Sequence, residues 1–288
     1  MLAAVIAIVV YRFQEGRIDW RRALGFHLWP HPSSILDIQL LIARRVLTVL
    51  GIVPMVGGAW WLAVRVSTIL DRSFGVPEMP TISTGVLTVI YTLVLFVVWD
   101  LSRFLLHLAL HRFNFLWQFH QVHHSAQILT PLTFHRIHPV ESTLYGIRGA
   151  LSTGLMAGVA FWLFRGQASE YTIAGVHGIG FTLNALTGNL RHSHVWLRFP
   201  TRVERWLLSP AQHQIHHAKA AQYHDANFGT WLACWDNMLG CLHTAPKEPV
   251  VDIGISEPNH NPNGLMSALF SPIRSAISPL LPTRWAAG

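Results

Sequence analysis

The chain has 288 residues, of which 51% are hydrophobic and 12% charged, and its mean hydropathy is +0.35. Soluble domains carry about 25% charged residues, so this composition excludes an ordinary soluble globule and indicates an integral membrane protein. The formal charge of +7 comes mostly from arginines scattered beside apolar runs, which suits anchoring against anionic lipid; no basic patch interleaved with aromatics speaks for nucleic acid.

In chain order, Met1–Val10 is apolar but too short to cross a bilayer, which takes about 20 residues. A signal remnant, the end of a truncated span and an interfacial anchor all fit it. A cleavable signal peptide does not, because no positive stretch precedes it and no small-residue cleavage site follows. Arg12, Arg17, Arg21 and Arg22 come next, with His27 and His31 read as structural or surface residues. Arg44-Arg45 opens the first expected span, Val46–Val66, despite Gly51, Pro54 and Gly57-Gly58, which membrane helices tolerate. After a polar turn, Asp71–Pro80, Thr81–Trp99 is the second span and runs on into Asp100–His111. Ser142–Phe164 and Tyr171–Leu190, joined by Arg165-Gly166-Gln167, form a helical hairpin as the third and fourth spans; His177 within it is left out of the site. Tryptophans 60, 61, 99 and 162 lie near span ends, where interfacial belts place them. Cys234 and Cys241 read as reduced cysteines, too few for a disulfide framework.

The expected fold is therefore an all-α membrane bundle of about four spanning helices plus a short N-terminal apolar segment, capped on one side by helices. Residues 1–288 are taken as a single membrane-embedded domain: 1–98 are N-terminal membrane segments, 99–243 carry the chemistry, and 244–288 form an irregular tail with an interfacial helix around Leu265–Leu281. His243 and His260 in that tail are assigned nothing.

Histidine supplies the chemistry. One block holds His107 and His111, then His120-Gln-Val-His123-His124; another holds His192 and His194, then His213-Gln-Ile-His216-His217. Both end in His-x-x-His-His. On a helix Asp100, Arg103, His107 and His111 share one face, with Asp100 and Arg103 placed to orient the ligands from behind. In each triplet the first and second histidines are expected to share a face, and the third, about 100° away, to serve a second metal or bridge around the first. Three or four histidines suffice for one zinc, so eight or more point to two metals side by side. Imidazole alone does not choose the metal; reaction with O₂ at an unreactive C–H bond favours iron. The hairpin returns both blocks to one membrane side, and the arginine pairs before Val46 make that side cytoplasmic.

These residues, with Phe119, Ser125, Arg136-Ile-His138-Pro139-Val-Glu141, Pro210, Asp225-Ala-Asn227-Phe228-Gly229, Trp235-Asp236 and Leu239-Gly240, resemble the fatty acid hydroxylase / sterol desaturase superfamily of membrane di-iron enzymes. The likeness runs from about Trp99 to His243, and the Gln121–Ser125 wording is closest to bacterial members and alkylglycerol monooxygenases. It implies an O₂-dependent oxidoreductase with two non-haem irons, in a multi-pass protein of the bacterial inner membrane, that hydroxylates or desaturates a lipid such as a sterol, fatty acyl chain or ether lipid. The implied ligands are His107, His111, His120, His123, His124, His192, His213, His216 and His217, with His138 a further one. His194 stands where many members carry Asn, so a ligand, a supporting group and an inconsequential substitution all remain open. Asp225, Asn227, Glu141 and Asp236 are candidates for orienting ligands or for capping turns. No cytochrome b5-like domain is fused, so electrons are expected from a separate protein. Two other classes stay in play: a histidine-rich metal transporter, whose sites belong near mid-bilayer, and a zinc hydrolase, for which no His-Glu-x-x-His is present. A haem protein needs far fewer histidines.

Overall fold

The computed structural model describes all of the chain except residues 1, 17–19, 51–57, 79–82, 165–179, 181, 184–187, 251, 259–260 and 281–288. Among the described residues it is all-helical, with two isolated β-bridges and no strand. The helices are α1 (Leu2–Glu15), α2 (Trp20–Ala23), α3 (Pro32–Val49), α4 (Gly58–Phe74), α5 (Thr84–Arg112), α6 (Asn114–His124), α7 (Pro139–Phe164), α8 (Asn189–Arg191), α9 (Thr201–Glu204), α10 (Pro210–His216), α11 (Cys234–Met238) and α12 (Leu265–Ile277).

α5 and α7 are long and apolar enough to cross a membrane. Their apolar stretches are only 22% and 28% buried, unlike the core helix of a soluble protein, and α5 turns Val86, Val89, Leu93 and Val97 outward. Such an apolar surface suits lipid and not water. At 29 residues, α5 is about 44 Å long. Ser83 caps its start by accepting the Val86 N–H, and extended Phe113 ends it at Arg112 and redirects the chain into α6. The second and third expected spans thus correspond to α5 and α7, and α5 continues unbroken through Trp99 to the first histidines.

The first expected span is different. Its described parts belong to a helix that ends at Val49 and one that runs from Gly58, and its Gly/Pro cluster, at 51–57, lies outside the described residues. α3 begins much earlier than expected, at Pro32, where His31 Nδ1 accepts the Ser33 N–H at 3.1 Å. α4 packs on α7 through Gly154 and Gly158. A Cβ on Gly158 would stand 2.6 Å from Val66 Cβ and 2.7 Å from the Ala63 carbonyl, so this close approach needs glycine, as small-residue helix contacts in membranes do. The fourth expected span, Tyr171–Leu190, lies almost wholly outside the described residues, as does His177.

α1 packs Ala7 against Leu190 and Val195. The helix expected around Leu265–Leu281 is α12, and its Ala268 joins Leu36, Leu40 and Val122 in a core that unites α3, α6 and α12. Cys234 and Cys241 are free thiols.

Candidate metal centre

Three helical segments and one turn deliver the histidines. The last turns of α5 carry His107 and His111, and α6 ends in His120, His123 and His124. His192 follows α8. α10 starts with a capping box, in which Ser209 and Gln212 satisfy each other's backbone N–H groups at 3.1 and 2.9 Å, and this fixes His213, His216 and His217.

The nine converge in two adjoining groups. His107, His111, His120, His124 and His216 form one, and His123, His192, His213 and His217 the other; within each, one nitrogen per ring lies within 4.8 Å of all the others. The groups share a wall, where the His124 and His217 rings stack at 4.4 Å. In both triplets the first and last histidines stay together and the middle one crosses to the other group. The expected pairing of first with second is therefore wrong for both. On a helix the i and i+4 positions differ by about 40°, the i and i+3 positions by about 60°, and here that small difference divides the ligands.

The ring nitrogens test whether a cation fits. His107 Nδ1 donates to the Phe228 carbonyl at 2.7 Å, His216 Nδ1 to the Ala226 carbonyl at 2.6 Å, and His123 Nδ1 to the Arg136 carbonyl at 3.1 Å. A carbonyl only accepts, so each of these neutral rings carries its proton on Nδ1 and a lone pair on Nε2. The Nε2 atoms of His107 and His216 nevertheless face each other at 3.2 Å. Two opposed lone pairs at that distance call for a positive ion between them. In the other group Nε2 atoms approach at 3.1 Å (His123 and His192) and 3.0 Å (His192 and His213). Nitrogens about 2.0–2.1 Å from a shared ion lie roughly 3.0–3.4 Å apart, so the spacings fit. His111 and His124 each bury Nε2 with no hydrogen-bond partner. Burial holds the rings neutral, the state in which imidazole binds metal: His120 and His216 are lowered to about 3, and His123, His124, His192, His213 and His217 well below their usual range.

The loop 225–229 aims the carbonyls. Asp225 and Asn227 adopt left-handed backbone, φ 55° and 58°. Asn227 bonds the His243 N–H and the carbonyls of His243 and Gln212. Asp236, pushed by burial up to about 6, accepts the N–H groups of Phe228 and Gly229 at 2.7 and 2.9 Å. Glu141 accepts His120 Nδ1–H at 2.9 Å. Asp100, expected in such a role, touches no histidine of the site. Its carboxylate instead accepts from the backbone of Trp231 and Leu232 and from the Trp235 indole, tying α5 to the segment before α11. Arg103 lies over the Trp99 and Tyr145 rings and makes no hydrogen bond to a histidine among the described residues.

Two expected candidates stand apart. His138 donates to the Leu269 carbonyl and accepts the Val140 N–H, so both ring nitrogens are engaged in joining α7 to α12. His194 packs against Tyr11 and His27. Sequence reasoning missed Arg136 as more than a motif residue. Fully buried, it pairs with Asp37 at 3.0 Å and bonds Ser125, Ser33 and the carbonyls of Val122 and Pro262, fixing the carbonyl that orients His123. An aspartate alone in the apolar run of α3 was the available signal.

Two cavities flank the histidines. One, of about 200 Å³, is walled by Trp99, Arg103 and Tyr145 from α5 and α7, by Arg191, and by histidines of both groups. The other, of about 210 Å³, reaches His111, His124 and His216 from the side of Trp117, His224 and Asp225.

Sequence comparison agrees with this geometry. The chain is 26% identical over 163 residues to the ornithine lipid hydroxylase OlsE of Rhizobium tropici, covering 56% of this chain and 44% of that one. It is 24% identical over 159 residues to the alkylglycerol monooxygenases of Danio rerio and Homo sapiens, covering 55% of this chain and 31% and 32% of theirs. The chain thus spans less than half the length of these relatives. No solved structure matches it. The family described as Fatty acid hydroxylase matches residues 92–241, just over half of the chain and all nine converging histidines, and to that family the chain belongs.

Proposed function

We propose that this chain is a membrane oxidoreductase that uses two iron ions and O₂ to oxidise a C–H bond of a lipid, by hydroxylation or desaturation. The observation that carries this reading is the pair of neutral histidine groups at the end of a cavity bordered by the two apolar helices. His107, His111, His120, His124 and His216 would hold one ion, and His123, His192, His213 and His217 the other. A bound pair of redox metals would supply the activation of O₂ that a C–H bond requires.

The chain's own residues do the rest. Phe228, Ala226 and Arg136 carbonyls and the Glu141 carboxylate hold ring tautomers and orientations, as outer partners of ligating histidines do. Trp99, Tyr145 and Trp231 give the cavity an aromatic lining that favours a lipid chain over water. The hydrocarbon core takes about 20 residues of α5, so His107 and His111 in its last turns lie beyond the core, where a lipid held between α5 and α7 would present its upper carbons. That placement supports an enzyme over a transporter, whose site belongs at the midplane. The reading includes a single domain over 1–288, the cytoplasmic placement of the histidines, and a separate electron-donor protein.

The test compares host lipids by mass spectrometry with the intact gene, with His123→Ala and with His216→Ala. A gain of one oxygen or loss of two hydrogens in one lipid class, abolished in both variants, is expected. Retention of that O₂-dependent change in both variants would overturn the reading.

A further inference from the structure

The cavity beside the histidines carries positive charge that lipid oxidation does not use. Arg191 is 7% exposed, and its Nε and Nη2 are buried without a hydrogen-bond partner. Arg103 lines the same cavity, its guanidinium 4.9 Å from the Tyr145 ring and 5.7 Å from that of Trp99, with no hydrogen bond or ion pair among the described residues. The nearby acids do not answer these cations. Both oxygens of Asp100 are taken by the Trp231, Leu232 and Trp235 N–H groups. Glu141 gives one oxygen to His120, and its other, Oε2, has no partner. Arg103 and Arg191 thus make no ion pair with either acid among the described residues, and only Glu141 Oε2 is left unpartnered between the two carboxylates. A buried cation without a partner is costly, and a planar guanidinium fork matches a carboxylate or phosphate in geometry.

We propose that this cavity takes a lipid bearing an oxyanion, a carboxylate or a phosphate, which Arg191 binds with Arg103 beside the histidines. The proposal rests on reading the cavity as the lipid-oxidation site, and it narrows the substrate class from lipids in general to anionic ones.

The test is titration calorimetry of the full-length, metal-loaded protein in detergent under argon, so that nothing turns over. The probes are hexadecanoate, hexadecyl phosphate and hexadecanol. Charge-assisted hydrogen bonds of this kind are worth tenfold or more in affinity, so at least one anion is expected to bind about tenfold tighter than the alcohol, and the tighter anion names the source of the oxyanion. Arg191→Gln and Arg103→Gln are each expected to abolish that preference while leaving hexadecanol binding unchanged. Metal content is measured alongside, and should Arg191→Gln disturb its neighbour His192, Arg103→Gln decides. Equal binding of acid, phosphate and alcohol by the unaltered protein overturns the proposal, as does a preference that survives in a variant retaining its metal. Failure of the oxidation reading looks different: the anion preference persists in a protein that changes no lipid.

Discussion

The two histidine groups differ in how firmly they are held. In the five-membered group, His107, His120 and His216 each give Nδ1–H to a fixed acceptor: two loop carbonyls and Glu141. In the four-membered group only His123 does so, while Nδ1 of His192, His213 and His217 is buried without a partner. The less braced group supplies three of its members, His123, His192 and His213, to the wall of the cavity that Arg191 also lines. Three rings of one group are thus fixed by acceptors at Nδ1, against one ring of the other.

Breaking the bracing sharpens that contrast. The largest effect on metal binding is expected from Glu141→Ala, which strips His120 of its acceptor. Loss of such an outer partner weakens metal affinity about 10- to 100-fold, and competition with a chelator reads it directly. In the unaltered protein the same chelator is expected to remove metal in two stages, the ion of the four-membered group leaving first. Loss of both ions in one step would show that the two groups are equally braced.

Asp37→Ala leaves Arg136 buried and unpaired, which typically costs about 3–5 kcal/mol. A lowered melting temperature is expected, with weakened metal binding at His123 and unchanged binding at His216. Gly158→Ala crowds Val66 and Ala63 at the α4–α7 contact, and overpacking costs about 1–3 kcal/mol; here metal affinity is expected to hold while thermal stability falls. A separate effect is in pH. Burial lowers His120 and His216 to about 3 from 6.5, so between those values the unfolded chain binds more protons than the folded one. Stability therefore falls as pH drops below about 6.5, and the metal-free protein is expected to melt lower at pH 5 than at pH 7.

Eight of the nine converging histidines were legible because their chemistry is local: two His-x-x-His-His triplets and a helical His-x-x-x-His are visible without a fold, while His192 entered through the family resemblance. Their division between two ions was not, since it turns on whether i+3 or i+4 lies closer to a shared point, and that depends on how α6 and α10 are set against each other. Asp100 was misassigned by assuming that a shared helix face means a shared partner; its partners come from Trp231, Leu232 and Trp235, more than 100 residues away. His138 was grouped with the ligands through the family resemblance, whereas the Leu269 carbonyl on α12 claims one of its nitrogens. Gly51, Pro54 and Gly57 occur both in tolerated kinks and at helix ends, so their sequence alone does not choose between the two.

The central claim is that two ions sit side by side among these imidazoles. Elemental analysis of the purified full-length protein, expressed with iron, tests it most directly. Two iron ions per chain are expected, falling in both His123→Ala and His216→Ala. One ion or none in the unaltered protein, or a count unchanged by either substitution, would contradict the account.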